Sequence, residues 1–109
     1  MKLPADIVIP DEKITGYLLV PKIWNDKSKF LAQAGFTSTN PHDLKKELAT
    51  LAKKAEAVED GNNEYGIFYR IDGELTGPNE RRLPVTAIWM RRKADGVVSF
   101  ITLKPRKGK

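Results

Sequence analysis

The 109-residue sequence contains no cysteine and only one histidine, His42. Without cysteine there is no disulfide framework, no thiolate nucleophile and no cysteine-ligated zinc site. A single histidine excludes a paired-histidine ribonuclease mechanism and a multi-histidine metal site. His42 follows Pro41 in a predicted first helical turn, where the positive helix end disfavours a protonated imidazole. We therefore expect a surface histidine rather than a catalyst.

Long apolar runs and phosphate-binding glycine loops are also absent. No stretch is long enough and apolar enough to cross a bilayer, and residues 1–6 lack the apolar run of a signal peptide. The simplest expected location is the cytoplasm. The adjacent acid pairs Asp11-Glu12 and Glu59-Asp60 do not converge, because neighbouring residues on an element diverge. We expect no metal site and no cofactor.

The net charge of +5 is unevenly distributed. Residues 1–61 hold nine basic and nine acidic residues, whereas residues 62–109 hold ten basic and five acidic residues and every arginine. Arginine presents a planar donor fork that suits phosphate. Two interpretations remain open: a polyanionic partner, or a soluble sheet face followed by a basic tail at about residues 104–109.

Apolar spacing predicts two or three helices in the first half of the chain. The first extends over residues 10–21. The second runs over residues 25–35, with Gly35 just past its C-terminal end. The third extends over residues 40–57, with Asn40 as cap and Pro41 at the first helical position.

The second half of the chain changes to a period of two residues after a turn-rich break at residues 59–63. Asp72-Gly73 predicts a hairpin, because this dipeptide suits tight turns. The fold class is therefore α+β: helices packed on a three- to four-stranded antiparallel sheet within one domain, residues 1–109. The predicted strands cover residues 64–71, 74–76, 83–91 and 97–103.

Basic and hydroxyl side chains near the predicted strands form the candidate site. Such a set can hold a phosphodiester and neutralise charge on a pentacoordinate phosphorus. RNA supplies its own nucleophile, the ribose 2′-hydroxyl, so a protein needs only to align it and move protons. In the last predicted strand Thr102 shares the parity of Phe100. We expect Lys13, Lys29, Arg81 and Thr102 as catalytic residues and Arg82, Thr86, Tyr69 and Lys104 as substrate-binding residues.

Tyr65 and Tyr69 lie on one predicted strand face. If that face is exposed, their rings could stack on unpaired bases. The other aromatic residues are expected to build the core.

A set of residues spread over most of the chain forms a recognisable pattern: Leu3-Pro4, Lys13-Ile14, Tyr17-Leu18-Leu19, Lys29-Phe30, Gly35-Phe36, Leu44, Leu48, Tyr65-Gly66, Tyr69, Gly77-Pro78-Asn79, Arg81, Val85, Trp89, Ile101-Thr102-Leu103 and Pro105. With this pattern the chain resembles a family of small bacterial domains found alone or at the C-termini of polymorphic toxins. Glu80 departs from the family pattern, which has glycine before the arginine. The order of helices and strands is also similar to the barnase, EndoU, colicin and RelE-like ribonuclease group.

The resemblance implies a metal-independent ribonuclease toxin with its active site on an open sheet face. Such a toxin needs a neutralising partner, an acidic antitoxin or immunity protein. The alternative is a non-catalytic domain that binds nucleic acid or protein through the same basic sheet face. An enzyme requires Lys13 or Lys29 to converge with the Arg81 and Thr102 surface, whereas a binding module requires only a spread positive face.

Overall fold

A computed structural model describes residues 2–4, 6–19 and 27–106. Three helical segments precede a four-stranded antiparallel sheet with the strand order β1-β2-β3-β4, so the predicted fold class is confirmed. The helices are α1 (Asp11–Lys13), which continues as a π-helical segment (Ile14–Leu18), α2 (Lys27–Ala32) and α3 (Pro41–Lys54); the strands are β1 (Val58–Asn62), β2 (Gly66–Thr76), β3 (Arg82–Arg92) and β4 (Val98–Pro105).

The predicted start of α3 is confirmed, whereas its predicted end at residue 57 is wrong, because the helix ends at Lys54 and Ala55 is extended. Proline occupies the beginning of α3, and Asn40 precedes it. Asn40 does not cap the helix with its side chain; its side-chain amide instead donates to the Gly35 carbonyl and accepts from the Thr37 N–H, which fixes the loop before α3. Gly35 adopts a φ of 92° after α2, as expected for a C′ glycine. The predicted end at Pro21 and start at Asn25 or Asp26 lie outside the described residues.

The predicted hairpin at Asp72-Gly73 is wrong, because β2 runs unbroken through it. Asp72 pairs with Thr86 and Gly73 pairs with Val85 in regular register. A Cβ on Gly73 would approach the Leu51 side chain to within 2.5 Å. Glycine leaves room here for the end of the Leu51 side chain of α3, and it does not mark a turn.

The predicted break at residues 59–63 is also corrected, since Val58–Asn62 forms the edge strand β1. Its register with β2 shifts between Glu59 and Asn62, and Gly61 adopts a φ of 114°. All five of its residues are exposed. A short, charged, bulged edge strand resists pairing with other chains, which explains its unusual composition.

The core lies between the helices and one face of the sheet. The buried residues of β2 and β3 that point into it are mostly odd-numbered, and Val85, Ala87 and Trp89 are fully buried. The Trp89 and Phe100 rings meet edge to face, with centroids 5.3 Å apart. No charged side chain is buried anywhere in the described part of the chain. The opposite face of the sheet carries the remaining, even-numbered residues of β2 and β3.

The outer edge of β4 is partly covered by the N-terminal segment. Val8 forms a parallel bridge with Ser99, its amide donating to the Val98 carbonyl and its carbonyl accepting from the Phe100 amide, both at 2.8 Å.

Further along the chain, Lys45 of α3 lies 2.8 Å from the Asp11 carboxylate. None of the described helices is long and apolar enough to cross a membrane.

Candidate functional site

The face of the sheet opposite the helices, hereafter the open face, gathers several of the predicted residues. The strand register sets Asp72, Thr86 and Lys104 side by side across β2, β3 and β4. Directly opposite residues in antiparallel strands have Cβ atoms about 5 Å apart. Thr86 and Lys104, which were predicted from separate strands, are therefore direct neighbours.

A hydrogen-bonded network links the side chains of β2 and β3 on the open face. The Thr86 hydroxyl donates to Asp72 Oδ1 at 2.7 Å, and Arg70 Nε lies 3.6 Å from Asp72 Oδ2. The Arg70 and Asp72 side chains are 40% and 41% exposed. Arg70 Nε itself is buried and has no hydrogen-bond partner. The carboxylate therefore fixes the hydroxyl firmly and the guanidinium only loosely.

Sequence reasoning missed Arg70 and Asp72. The false hairpin at Asp72-Gly73 placed them at the end of a strand, away from Thr86. The available signal was the alternation of β2, which assigns both residues to the parity opposite the buried Tyr69 and Ile71.

Thr102 lies on the open face because of a β-bulge. Trp89 pairs with Phe100 whereas Ile88 pairs with Thr102, so one extra residue, Ile101, separates the two pairs. The predicted shared face of Phe100 and Thr102 is therefore wrong: Phe100 is buried, and Thr102 lies beside Ile88 on the opposite face. A bulge re-aims the side chains beyond it.

Lys27, at the start of α2, reaches the edge of the open face. Its Nζ lies 3.0 Å from the Thr102 hydroxyl oxygen. Lys27 was not predicted, and its neighbour Lys29 was. Lys29 is exposed and lines a separate cavity of about 220 Å³ near Leu19 and Phe36. No sequence signal distinguished the two lysines, because the direction of α2 relative to β4 is a tertiary feature.

The other predicted basic residues lie away from this cluster. Lys13 ends α1, is half-buried, and lies on the β4 side of the molecule, where α1 contacts the sheet. Arg81 and Arg82 are exposed at the beginning of β3, and Arg82 pairs with Thr76. Along β3, Arg81 is about 20 Å from Ile88, the partner of Thr102, at a rise of about 3.3 Å per residue. The structure does not bring Arg81 next to Thr102.

The turn that contains Arg81 is docked on α2. The Asn79 amide group donates to the Gln33 carbonyl at 3.0 Å, and a Cβ on Gly77 would overlap the Ala34 carbonyl. Glu80 adopts a φ of 72°, a conformation that favours glycine. This backbone conformation explains why the family pattern has glycine at this position.

Tyr69 does not offer its ring for stacking. It is only 5% exposed and lies on the helix-covered face, opposite Trp89. Tyr65, just before β2, is 67% exposed. The expected pair of stacking tyrosines is therefore reduced to Tyr65. Among the described residues, no group of three or more His, Asp or Glu side chains is arranged to hold a metal ion.

Comparison with known proteins identifies the family. Residues 2–107 match the family model described as a domain of unknown function, DUF6883. The chain belongs to this family. A search of curated proteins finds no match to this DUF6883 domain.

A solved structure resembles this DUF6883 domain in fold. It belongs to the contact-dependent growth inhibition toxin–immunity protein complex from Klebsiella pneumoniae 342. The TM-score is 0.71 at 20% sequence identity, and the match covers 91% of this chain and 99% of the other. At this identity the likeness concerns the fold alone.

Proposed function

We propose that this chain is an RNA-binding, metal-independent ribonuclease toxin of a bacterial toxin–antitoxin or polymorphic toxin system, and that the open face binds the RNA. The observation that carries the proposal is the row of Thr86 and Lys104 beside Thr102, with Lys27 bonded to the Thr102 hydroxyl. Hydroxyl donors next to ammonium groups on a solvent-facing sheet are suited to a phosphodiester.

The chemistry asks little of the protein beyond orientation and charge. The 2′-hydroxyl of RNA loses its proton and attacks the adjacent phosphorus, and the bond from phosphorus to the 5′-oxygen of the next nucleotide breaks as that oxygen takes up a proton. No protein nucleophile is needed. In this proposal the Thr102 hydroxyl hydrogen-bonds the phosphate, and Lys27 and Lys104 neutralise the charge that develops on it. The Thr86 hydroxyl gives its one proton to Asp72 and holds that carboxylate in place. The Arg70 side chain, which is 40% exposed, adds a further positive charge on the open face.

Asp72 has a positioning role in this scheme. Its two oxygens face the Thr86 hydroxyl and the Arg70 guanidinium, so it orients both groups toward the open face. Lys13, on the β4 side, remains a candidate for proton transfer. Arg81 and Arg82 then bind backbone phosphates away from the scissile one, because they begin β3 at the far end of the sheet.

The structural likeness supports a toxin–immunity context. The similar chain comes from a complex between a toxin and an immunity protein. The net charge of +5 and the concentration of arginine in residues 62–109 are suited to binding a polyanion such as RNA. The partner proposed for this chain is an acidic antitoxin or immunity protein that covers the open face.

The test is incubation of the purified protein with total bacterial RNA in EDTA. We expect discrete cleavage by the parent protein and at least about tenfold slower cleavage by Thr102→Val and Lys104→Ala, as for loss of transition-state hydrogen bonds. Lys46→Ala, which removes an exposed lysine from α3 on the other side of the molecule, is the matched control. Intact RNA with folded parent protein would refute the ribonuclease proposal.

A second candidate function is a non-catalytic binding module that uses the same face. The half-buried apolar side chains Phe68, Ile88 and Met90 on the open face favour it, because protein interfaces need such a centre. Expression separates the two functions. A ribonuclease toxin is poorly tolerated without its partner, whereas a binding module is produced freely.

A further inference from the structure

A cavity of about 300 Å³ lies on the helix-covered side of the sheet, away from the open face. It is bounded by the N-terminal segment, by β2 and β3, and by the turn before β4. Its volume is at the low end for small-molecule sites, which run from about 300 to 1,000 Å³. The residues used below are Leu3, Pro4, Asp6, Tyr69, Arg91 and Val98, all of which line it.

The N-terminal rim of this cavity is held at both ends. On one side Lys2 Nζ donates to the Lys54 carbonyl at 2.7 Å, which ties the segment to the C-terminal end of α3, and Leu3 is buried. On the other side Val8 is hydrogen-bonded to β4, and Ile9 is buried. The cavity is therefore spanned by an anchored segment rather than bordered by a loose end.

Tyr69 supplies a nearly buried polar group to the cavity. The residue is 5% exposed, and no hydrogen bond of its hydroxyl to any described residue is found. The Tyr69 oxygen is not among the buried side-chain atoms that lack a partner, so the hydroxyl is open to the cavity although its ring is buried. A ligand in the cavity can supply that partner.

Arg91 brings an uncompensated cation to the same cavity. It lies on the face of β3 that carries Trp89, diagonal to Tyr69 across the strand pair, at about 7 Å between such positions. Within the described part of the chain its guanidinium forms no ion pair. The adjacent Arg92, on the opposite parity, lies with its Nε 3.4 Å from the Asp95 carboxylate.

We infer that this cavity binds a single ribonucleotide. The Arg91 fork suits a phosphate group. The Asp6 carboxylate can accept hydrogen bonds from a ribose diol, which inorganic phosphate lacks. Leu3, Pro4 and Val98 form apolar walls for a base, and the Tyr69 hydroxyl bonds the base edge.

This inference does not depend on RNA cleavage. The cavity and the open face are on opposite sides of the sheet, and the ligand is a mononucleotide rather than a chain. A protein that fails to cut RNA can still bind the nucleotide, and a ribonuclease can lack nucleotide binding.

The test is calorimetric titration of the full chain with adenosine 5′-monophosphate, its 2′-deoxy analogue, adenosine and inorganic phosphate. We expect the ribonucleotide to bind tightest. Arg91→Ala should weaken it about tenfold or more, as for loss of one charged hydrogen bond, and Arg92→Ala less than about twofold. Tyr69→Phe, which keeps the buried ring, should weaken it about threefold without lowering the unfolding midpoint.

Four outcomes overturn the inference. They are no heat of binding at millimolar ribonucleotide, inorganic phosphate binding as tightly as the nucleotide, equal losses for Arg91→Ala and Arg92→Ala, and equal affinity for the ribo and 2′-deoxy forms. Equal arginine losses would indicate diffuse attraction by the basic hairpin. The RNA assay in EDTA is read separately, so the two proposals fail or succeed independently.

Discussion

The two faces of the sheet differ in the burial and in the polarity of their side chains. Along β3, Val85, Ala87 and Trp89 are fully buried, while the alternating Thr86, Ile88 and Met90 remain half-buried on the open face. From Leu83 to Trp89 the covered face of β3 is apolar, whereas the open face carries Arg70, Asp72 and Lys104. Residues one position apart thus serve different purposes, one stability and the other binding.

The largest expected effect is on the covered face. Trp89→Ala should lower the free energy of unfolding by about 3–5 kcal/mol, because it removes a buried indole and its contact with Phe100. Ile88→Ala, at the neighbouring position on the open face, should cost about 1–2 kcal/mol, since its side chain is only half-buried. Urea denaturation measures both. Equal costs would erase the distinction between the faces.

The reverse contrast is expected at Thr86. Thr86→Val removes the 2.7 Å hydrogen bond to Asp72 and keeps the shape of the side chain, so stability should fall by no more than about 1 kcal/mol. RNA cleavage should slow about tenfold if the Thr86–Asp72 hydrogen bond positions the groups that hold the phosphate on the open face. Cleavage in EDTA and urea denaturation are measured on the same preparation. Normal cleavage would remove Thr86 from the proposed site.

The turn before β3 is expected to affect the stability of the protein and not RNA cleavage. Glu80→Gly should raise the free energy of unfolding by about 0.5–1 kcal/mol. Glycine adopts the φ of 72° without strain, and this gain is larger than the loss that comes from the greater conformational entropy of glycine in the unfolded chain. RNA cleavage should not change. Glu74→Gly, in the extended strand β2, is the control and should destabilise by about 0.5–1 kcal/mol. A lower free energy of unfolding for Glu80→Gly would show that the backbone at Glu80 is not strained.

The smallest effect is expected at the Asp11–Lys45 pair, far from either face. The Lys45 hydrogen bond, followed by its charge, lowers the pKa of the Asp11 carboxyl. Because the folded pKa lies below the unfolded one, the stabilisation is present above about pH 4 and is lost as the pH falls through the folded pKa. Lys45→Ala should return the Asp11 pKa toward its ordinary value in an NMR titration, and Lys46→Ala should not. An unchanged Asp11 titration in Lys45→Ala would exclude the pair.

The parts of the fold that were predictable are those with local causes. Asn40-Pro41 marked the start of α3, Gly35 marked the end of α2, and alternation marked β3 and β4. The errors at Asp72-Gly73 and at Thr102 have tertiary causes. A turn dipeptide was held straight because Leu51 packs on Gly73, and an inserted Ile101 reversed the parity of the residues after it.

The residues of the candidate site also divide into those that the sequence predicted and those whose positions depend on tertiary structure. Thr86 and Lys104 were predicted because both residue types lie on regular strands, and the structure makes them neighbours. Lys27 and the Arg70–Asp72 pair were not predicted, since their positions depend on helix direction and strand continuity. Arg81 was predicted from its place in a distinctive turn, but the turn is distinctive because it docks on α2.

The bridge between Val8 and Ser99 has a consequence for the order of folding. The three pairings within the sheet join strands that are neighbours in sequence, so their loops are short and close early. Val8 has no strand to pair with until β4 exists, at the far end of the described chain. The segment around Val8 therefore has no strand partner until β4 has been synthesised, and the sheet gains this edge only when that strand is complete.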